Sequence, residues 1–235
     1  MGITWQVLSI SIHQLILPGP ITVIWTLIQE TIKGSLAKHF LASLMRVFIG
    51  MGLAIIIASP VGLILGQSKR LNRFFSPFIY LLYPIPKVVF VPLIMLFFGI
   101  GDLSKIVIIF IILFFQIIVL VRDQAVNIRS ELVNSVRSLG AGRRALFKFV
   151  YLPATLPGIL TALRQSVGTA VAVLYIAELF ATQKGLGYYI YFEGSTLFNY
   201  PAMYAGIVAM SLMGLGMYFG IDWAERKLCN WLFVN

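Results

Sequence analysis

Charged residues are scarce in this chain of 235 residues, because Asp, Glu, Lys and Arg make up only 11% of it and hydrophobic residues 60%. A soluble domain carries roughly 25% charged residues. The one cysteine, Cys229, excludes an internal disulfide and a cysteine-based metal cluster. The two histidines, His13 and His39, have no acidic or cysteine partner at ligand spacing, so no metal site is expected. This composition indicates an integral membrane protein.

Catalytic motifs are also missing. No G-x-x-x-x-G-K-S/T phosphate loop occurs, so the chain is not expected to bind ATP by that means. Neither H-E-x-x-H nor G-x-S-x-G occurs, so neither catalysis nor a bound cofactor is expected. The formal charge of +10 does not indicate nucleic acid, because the basic residues lie between apolar runs, where orientation signals belong. Since the first basic residue is Lys33, no cleaved signal peptide is expected.

Five apolar runs are candidates for membrane spans, and a span needs roughly 20 residues. The runs cover residues 40–66, 77–99, 105–121, 159–181 and 202–221. The segment 5–28 is interrupted at 18–20 by Pro-Gly-Pro, and we expect either a first span or a helix lying at the interface. The sequence therefore predicts an all-α membrane protein of five or six transmembrane helices, forming a single domain over residues 1–235.

Small residues occupy one face of the run 40–66. Glycine or alanine recurs there every four residues, which lets another helix approach closely. We expect this stripe to pack within the chain rather than to form a dimer seam. Its members are Gly50, Ala54, Ala58, Gly62 and Gly66.

The run 77–99 is unusual because four prolines break it and Lys87 lies near its middle. Broken helices at membrane depth are tolerated where they line a cavity or are buried in protein. Polar groups at that depth are costly and are functional candidates by default. We therefore expect the translocation path among Lys87, Gln116, Arg164 and Glu178. Lys87 would attract an anion, and Gln116 would form a hydrogen bond with one.

Arg164 and Glu178 also have structural alternatives. They lie fourteen residues apart, about 21 Å along a helix, so they cannot pair with each other. Arg164 would then bind lipid headgroups, and Glu178 would bind a backbone donor or a neighbouring helix.

The segment 131–158 is the longest that cannot sit in a bilayer, yet its apolar residues keep a helical period on both sides of a glycine break at 140–142. The residues before the break are Leu132, Val136 and Leu139, and those after it are Leu146, Phe149 and Val150. This pattern predicts two short amphipathic helices joined by a glycine turn and closed by Pro153 and Pro157.

Basic residues predict the orientation. The loops 67–76 and 122–158 and the C-terminus hold eleven Lys and Arg residues, and the positive-inside rule places them in the cytoplasm. The opposite loops hold Lys33, Lys38, Lys105 and Lys184. The loop 182–201 then faces outside, where its aromatic residues suit the membrane–water interface or contact with a binding protein. These residues are Tyr188, Tyr189, Tyr191 and Phe192.

The polar loop also resembles a known signature. Gly140 is followed by nine residues and then by V-Y-L-P, and Asn134-Ser135-Val136 precede it by three residues. This is similar to the signature of membrane subunits of bacterial ABC importers, which reads EAA, three residues, Gly, nine residues and I-x-L-P, with the EAA part degenerate here. The chain from about Phe40 to the C-terminus resembles the nitrate/sulfonate/taurine/bicarbonate branch of these permeases, and three phrases carry the resemblance. They are YPIPKVVFVPLIMLFFGIGDLSK, VRSLGAGRRALFKFVYLPATLPGI and AELFATQKGLGYYI.

The resemblance implies the type I importer permease fold and the membrane-spanning subunit of an ATP-driven importer. Two permease copies, forming a homodimer, would assemble in the bacterial inner membrane with two ATPase subunits, which bind ATP and Mg. A periplasmic or lipid-anchored binding protein would deliver the solute. The branch favours a small anion such as nitrate, sulfonate, taurine or bicarbonate, although some members carry neutral or cationic precursors of cofactors.

In this family the polar loop forms a coupling helix that docks in a groove of the ATPase. The residues that the resemblance places at this contact are Asn134, Val136, Arg137, Leu139, Gly140, Arg143 and Arg144. The alternative for the loop is an interfacial helix pair held by lipid headgroups. The alternatives for the whole chain are an ATP-independent secondary transporter or channel, which would show paired broken helices in its two halves, and a membrane scaffold that only recruits a soluble ATPase.

Overall fold

The computed structural model describes residues 2–12, 16–180 and 182–232, and every regular element in these ranges is helical. The helices are α1 (Gly2–Ile12), α2 (Pro20–Ile32), α3 (Leu36–Gln67), α4 (Lys69–Leu82), α5 (Val91–Phe98), α6 (Asp102–Val126), α7 (Ser130–Ser138), α8 (Arg143–Leu146), α9 (Leu152–Leu179), α10 (Leu186–Tyr191) and α11 (Tyr200–Leu228). Short 3₁₀ or π turns cover Lys87–Phe90, Phe147–Tyr151, Phe192–Thr196 and Asn230–Leu232. The predicted all-α fold is confirmed.

Four helical segments in the described part of the chain are long and apolar enough to cross a membrane: α3, α6, α11 and the continuous run Arg143–Leu179 that ends in α9. A fifth span results when α4 and the segment Lys87–Phe98 are counted as one broken span. These five segments correspond to the five apolar runs of the sequence.

The N-terminal segment 5–28 contains parts of two shorter helices, α1 of 11 residues and α2 of 13 residues. Neither reaches the roughly 20 residues that a span needs. The indole N–H of Trp5 donates to the carbonyl oxygen of Pro18 at 3.1 Å, which ties the connection back to α1. His13, for which the sequence offers no ligand partner, lies outside the described residues.

The predicted break in the proline-containing span is confirmed, although only two of the four prolines make it, because Pro77 lies inside α4. Ser68 caps α4 by accepting a hydrogen bond from the backbone N–H of Leu71. Pro84 and Pro86 lie in the break after α4, because proline cannot donate the backbone hydrogen bond that a continuing helix needs. Pro92 is tolerated in the first turn of α5, where the N–H has no helical partner.

The chain is organised as two compact units, each built from three segments. Unit 1 comprises Met1–Ile49, Phe90–Ile108 and Val171–Gly216, and unit 2 comprises Gly50–Val89, Ile109–Ala170 and Met217–Asn235. Each unit has its own buried apolar residues, among them Val47, Leu174 and Leu186 in unit 1 and Leu63, Leu113 and Ile117 in unit 2. The prediction of one domain over residues 1–235 stays a prediction.

The small-residue stripe lies in unit 2, where α3 packs against α6. Ala58 is fully buried. A methyl group at Gly62 would lie 3.0 Å from the carbonyl oxygen of Ile118, and one at Gly66 would lie 2.8 Å from that of Arg122. The absence of side chains at these glycines allows the two helices to approach closely, so the predicted packing within the chain is confirmed.

The second half of the polar loop differs from its prediction. Pro153 and Pro157 do not close the helical unit, because α8, a π-helical turn at Phe147–Tyr151 and α9 form one continuous run. In the π turn the backbone bonds reach five residues back, and the N–H of Leu152 donates to the carbonyl oxygen of Phe147. This wider turn directly before Pro153 accommodates the proline ring and its missing donor. The second predicted short helix is therefore the start of a membrane-spanning helix.

Candidate functional site

The glycine turn after α7 presents an exposed leucine. Helix α7 ends at Ser138, and Leu139 has already left helical geometry, with φ −80° and ψ 11°. Gly140 adopts φ +82°, the left-handed region that favours glycine, and its N–H donates to the carbonyl oxygen of Arg137 at 3.0 Å. In this turn Leu139 is 85% exposed. An exposed leucine beside an amphipathic helix is suited to an apolar groove on a partner.

The apolar face of α7 has two different surroundings. Leu132 and Val136 line a cavity of about 340 Å³ in unit 2, whereas Leu139 lies outside it. The predicted i, i+4, i+7 face does not extend to Leu139, because α7 ends one residue earlier. The other residues that line this cavity are Phe149, Val150, Pro153, Ala154 and Trp231.

The remaining coupling candidates divide in the same way. Asn134 lines a smaller cavity of about 190 Å³ in unit 2, together with residues such as Gln67. Arg137, Arg143 and Arg144 are exposed. Of the six candidates that carry a side chain, Leu139 and the three arginines are exposed around the turn. Asn134, which is also exposed, and the half-buried Val136 border cavities of their own unit.

Lys87 lies in the break that follows α4. Its Nζ donates to the carbonyl oxygens of Leu82 and Tyr83 at 2.9 Å each. These carbonyls have lost their helical partners because α4 ends here, and a cation is favourable at a helix C-terminus. The same Nζ lies 4.8 Å from the ring centre of Phe115, the neighbour in sequence of Gln116, which is half-buried on α6. Lys87 thus combines a structural contact with a position near α6.

Arg164 is held by acidic side chains of α11 in unit 2. Its Nη1 donates to the carboxylate of Asp222 and lies 3.3 Å from Oε2 of Glu225. Thr161 Oγ1 donates to Oε1 of Glu225 at 3.0 Å. Asp222 and Glu225 were not predicted as partners of Arg164, although they stand at i and i+3, on one side of a helix.

Glu178 is fully buried in unit 1, and its carboxylate accepts hydrogen bonds from three groups. Arg46 Nη1 donates to it at 2.5 Å, Ser43 Oγ at 2.8 Å and the backbone N–H of Gly187 at 2.8 Å. The Nε and Nη2 groups of Arg46 donate to Asp102 at 2.8 and 2.5 Å. These contacts correspond to the structural alternative for Glu178, a backbone donor together with a neighbouring helix.

Sequence reasoning missed the residues of α3 that take part in this network. His39 Nδ1 accepts a hydrogen bond from the N–H of Gly185 at 3.0 Å, and Ser43 Oγ accepts one from the N–H of Leu186 at 2.7 Å. With Arg46 they stand at i, i+4 and i+7, which places them on one helix face. Three polar side chains at this spacing in an apolar run are the signal that would have revealed the network.

The aromatic segment 182–201 contains a buried helix, which the expectation of an interfacial belt did not include. Leu186, Gly187, Tyr189 and Ile190 of α10 are buried. Burial raises the pKa of the Tyr189 hydroxyl, and nearby carboxylates raise it further, so this group stays neutral.

The described part of the chain is all-helical and contains one broken span. Ionisable side chains are buried in its long apolar helices, and a polar turn is exposed between spans. This is the architecture of a membrane permease. Residues 50–229 match the family model "Binding-protein-dependent transport system inner membrane component", and the chain belongs to this family. It is the membrane-spanning permease subunit of an ABC importer, and the resemblance in the sequence is confirmed. A self-sufficient secondary transporter is not favoured.

Two curated relatives cover nearly the whole chain. The taurine transport system permease protein TauC of Escherichia coli is 31% identical over an alignment of 237 positions, which covers 98% of this chain and 86% of TauC. The nitrate import permease protein NrtB of Synechococcus elongatus is 31% identical over an alignment of 234 positions, which covers 92% of this chain and 84% of NrtB. Both belong to the branch that the sequence phrases predicted.

The fold has a counterpart among solved structures. The inward-facing MetNI methionine ABC transporter matches with a TM-score of 0.70 at 21% identity, covering 82% of this chain and 95% of that chain. The predicted importer-permease fold is thereby confirmed.

Proposed function

We propose that the turn after α7 is the contact through which this permease docks its ATP-hydrolysing subunits. The observation that carries the proposal is the 85% exposure of Leu139 on a turn set by the left-handed conformation of Gly140. Arg137, Arg143 and Arg144 are exposed around it and suit a polar rim with acidic groups. Asn134 and Val136, which line cavities of unit 2, would hold α7 in place beneath this contact.

The assembly would contain two copies of the permease, two ATPase subunits and a periplasmic or lipid-anchored binding protein. ATP and Mg would be bound by the ATPase subunits, since this chain has no phosphate loop. The eleven basic residues of the loops 67–76 and 122–158 and of the C-terminus support a cytoplasmic location for the turn. The loop 182–201 would face the outside of the bacterial inner membrane.

The solute is proposed to be a small anion. The relatives named for taurine and nitrate transport support this class. Lys87 supplies a positive charge in the break of a span. Gln116 supplies an amide next to Phe115, the ring on α6 that Lys87 contacts. Arg164 and Glu178 were candidates for the path as well, but their ion pairs favour a role in holding helices together.

The experiment is a pull-down of the tagged permease from native membranes in mild detergent. An ATP-binding-cassette subunit should be recovered in stoichiometric amount with the unaltered chain and should be lost with Leu139→Asp, because the aspartate would lose its hydration in an apolar groove. The matched control is Leu197→Asp, another exposed leucine, in the loop before α11. Equal recovery with all three proteins would contradict this docking site. A chain that elutes alone and moves solute without ATP would contradict the importer assembly.

A further inference from the structure

Helix α10 is held at its N-terminus by side chains of two other helices. The first N–H groups of a helix have no partner within it. Gly185, the capping residue that precedes α10, has no side chain to accept from them, and α3 and α9 supply the acceptors instead. The three pairs are Gly185 N–H to His39 Nδ1 at 3.0 Å, Leu186 N–H to Ser43 Oγ at 2.7 Å and Gly187 N–H to Glu178 Oε2 at 2.8 Å.

A buried ion-pair cluster fixes these acceptors in unit 1. Arg46 is 2% exposed, and it joins Glu178 to Asp102 while donating to the carbonyl oxygen of Lys184 at 2.8 Å. Buried charges are costly unless they are paired and hydrogen-bonded, so a loop that only connects two helices would not need them. The side chain of Asp102 is 53% exposed, and it would keep Arg46 paired if Glu178 moved away.

Packing around α10 is close. A methyl group on Gly187 would lie 2.8 Å from the carbonyl oxygen of Tyr175, and one on Gly206 would lie 2.8 Å from Ile190. The ring of Tyr189 lies 5.4 Å from that of His39. Helix α10 therefore has one well-defined position against α3, α9 and α11.

We propose that α10 closes the solute entrance and that four residues are the positioning residues that keep it closed until ATP-driven opening. They are His39, Ser43, Arg46 and Glu178. They act on α10 through its backbone and do not contact the solute. This inference rests on the proposed orientation, in which the loop 182–201 faces outside, and on the proposed ATPase partner. When the permease opens to the outside, the N–H groups of α10 leave their acceptors and α10 becomes accessible to water.

The test measures the accessibility of α10 in the complex of permease and co-purified ATPase, in lipid nanodiscs. A Cys229→Ser background removes the native thiol. Ile190→Cys reports the closed position because Ile190 is 5% exposed, and Tyr191→Cys is the control because the adjacent Tyr191 is 52% exposed. Labelling by a membrane-impermeant maleimide is compared without nucleotide and after trapping with ATP and vanadate.

With Arg46 present, Ile190→Cys should be protected without nucleotide and should label at least about tenfold faster after trapping, while Tyr191→Cys labels similarly in both states. When Arg46→Ala is added, Ile190→Cys should label fast in both states, because buried hydrogen-bonding groups lose a partner. Arg46→Lys in place of Arg46→Ala should restore the nucleotide response. Should Arg46→Ala fail to fold, Ser43→Ala removes one acceptor and leaves the ion pairs in place, and the same loss of protection is expected on a smaller scale.

Two results would overturn the inference. Protection that survives both Arg46→Ala and Ser43→Ala would show that these residues do not position α10. Protection that is lost in the variants but never responds to nucleotide in the unaltered complex would reduce the cluster to a stabilising role. Failure of the proposed function is seen separately, because the ATPase would be missing from the eluate before labelling begins.

Discussion

Gly66 of α3 lies so close to Ala125 of α6 that a methyl group added at Gly66 would stand 2.5 Å from the Cβ of Ala125. Gly66→Ala should therefore force the two helices apart and destabilise the protein by about 1–3 kcal/mol. The matched control is Gly52→Ala on the same helix, where an added methyl group meets nothing within 4 Å. That variant should gain about 0.5–1 kcal/mol from helix propensity. Thermal unfolding in detergent measures both, and equal shifts would contradict the packing of α3 on α6.

The turn after α7 allows a second matched comparison. Gly140 has φ +82° and Gly142 has φ −76°, and neither has an atom within 4 Å of the position of an added methyl group. Gly140→Ala should strain the turn by about 1–2 kcal/mol, and Gly140→Val more. We expect Gly140→Val to uncouple ATP hydrolysis from transport or to release the ATPase, and Gly142→Ala to behave like the unaltered chain. Co-purification and ATP hydrolysis of the complex measure this, and normal coupling in Gly140→Val would remove the turn from the contact.

Arg164→Met should destabilise the protein because it leaves the carboxylate of Glu225 without its cation. The side chain of Glu225 is 8% exposed and that of Arg164 is 23% exposed, so the loss should be about 2–3 kcal/mol, below that of a fully buried pair. The control is Arg226→Met, since the side chain of Arg226 is 66% exposed and its pairing with Asp222 is screened by water. Urea or thermal unfolding measures the stability of both variants. Similar losses of stability in Arg164→Met and Arg226→Met would contradict this ranking.

Lys87→Met should lower anion uptake while the permease still assembles with its ATPase. The charge would be lost from the break of the span, together with the cap that Lys87 provides for the end of α4. Lys87→Arg keeps the charge and should retain most of the uptake. Vesicles from cells expressing each variant can be tested with radiolabelled taurine and with nitrate. If an anion that the unaltered protein carries is taken up equally well by Lys87→Met, Lys87 is not part of the path.

Cys229 should resist alkylation in the folded protein. It is fully buried, and burial raises the pKa of its thiol, so the reactive thiolate is depleted at neutral pH. N-ethylmaleimide should modify it slowly in mild detergent and quickly after denaturation in SDS, as followed by intact-mass spectrometry. Rapid modification of the native protein would show that the region after α11 opens readily.

Local rules of backbone chemistry account for what the sequence could predict. Pro84 and Pro86 cannot continue a helix, so the broken span was visible from their positions. Gly140 followed an amphipathic period, so the turn was visible too. The stripe ending at Gly62 and Gly66 indicated a close helix contact, because small residues on one face of an apolar helix have few other uses.

The network around α10 could not be predicted in the same way. Periodicity shows which face of a helix is polar but not which distant segment meets that face. Ser43 and Glu178 are 135 residues apart in sequence, and they meet only because α3 and α9 pack in unit 1. Pro153 misled the prediction for a different reason, since a π turn is a change in hydrogen-bond pattern that no single residue type announces.

The π turn at Phe147–Tyr151 also sets the rotational phase of the membrane helix that follows it. Successive residues of an α-helix are rotated by about 100° around the helix axis. If the same five residues were regularly α-helical, α9 would be rotated by about that angle relative to its present position on α8. Arg164 would then leave the side of α9 that meets Asp222. A deletion of one residue within Phe147–Tyr151 would convert the turn to α-helical form and keep α8 and α9 in phase, whereas a deletion between Pro157 and Arg164 would turn the remainder of α9 away from α11. The number of residues in this short stretch thus determines which way Arg164 faces.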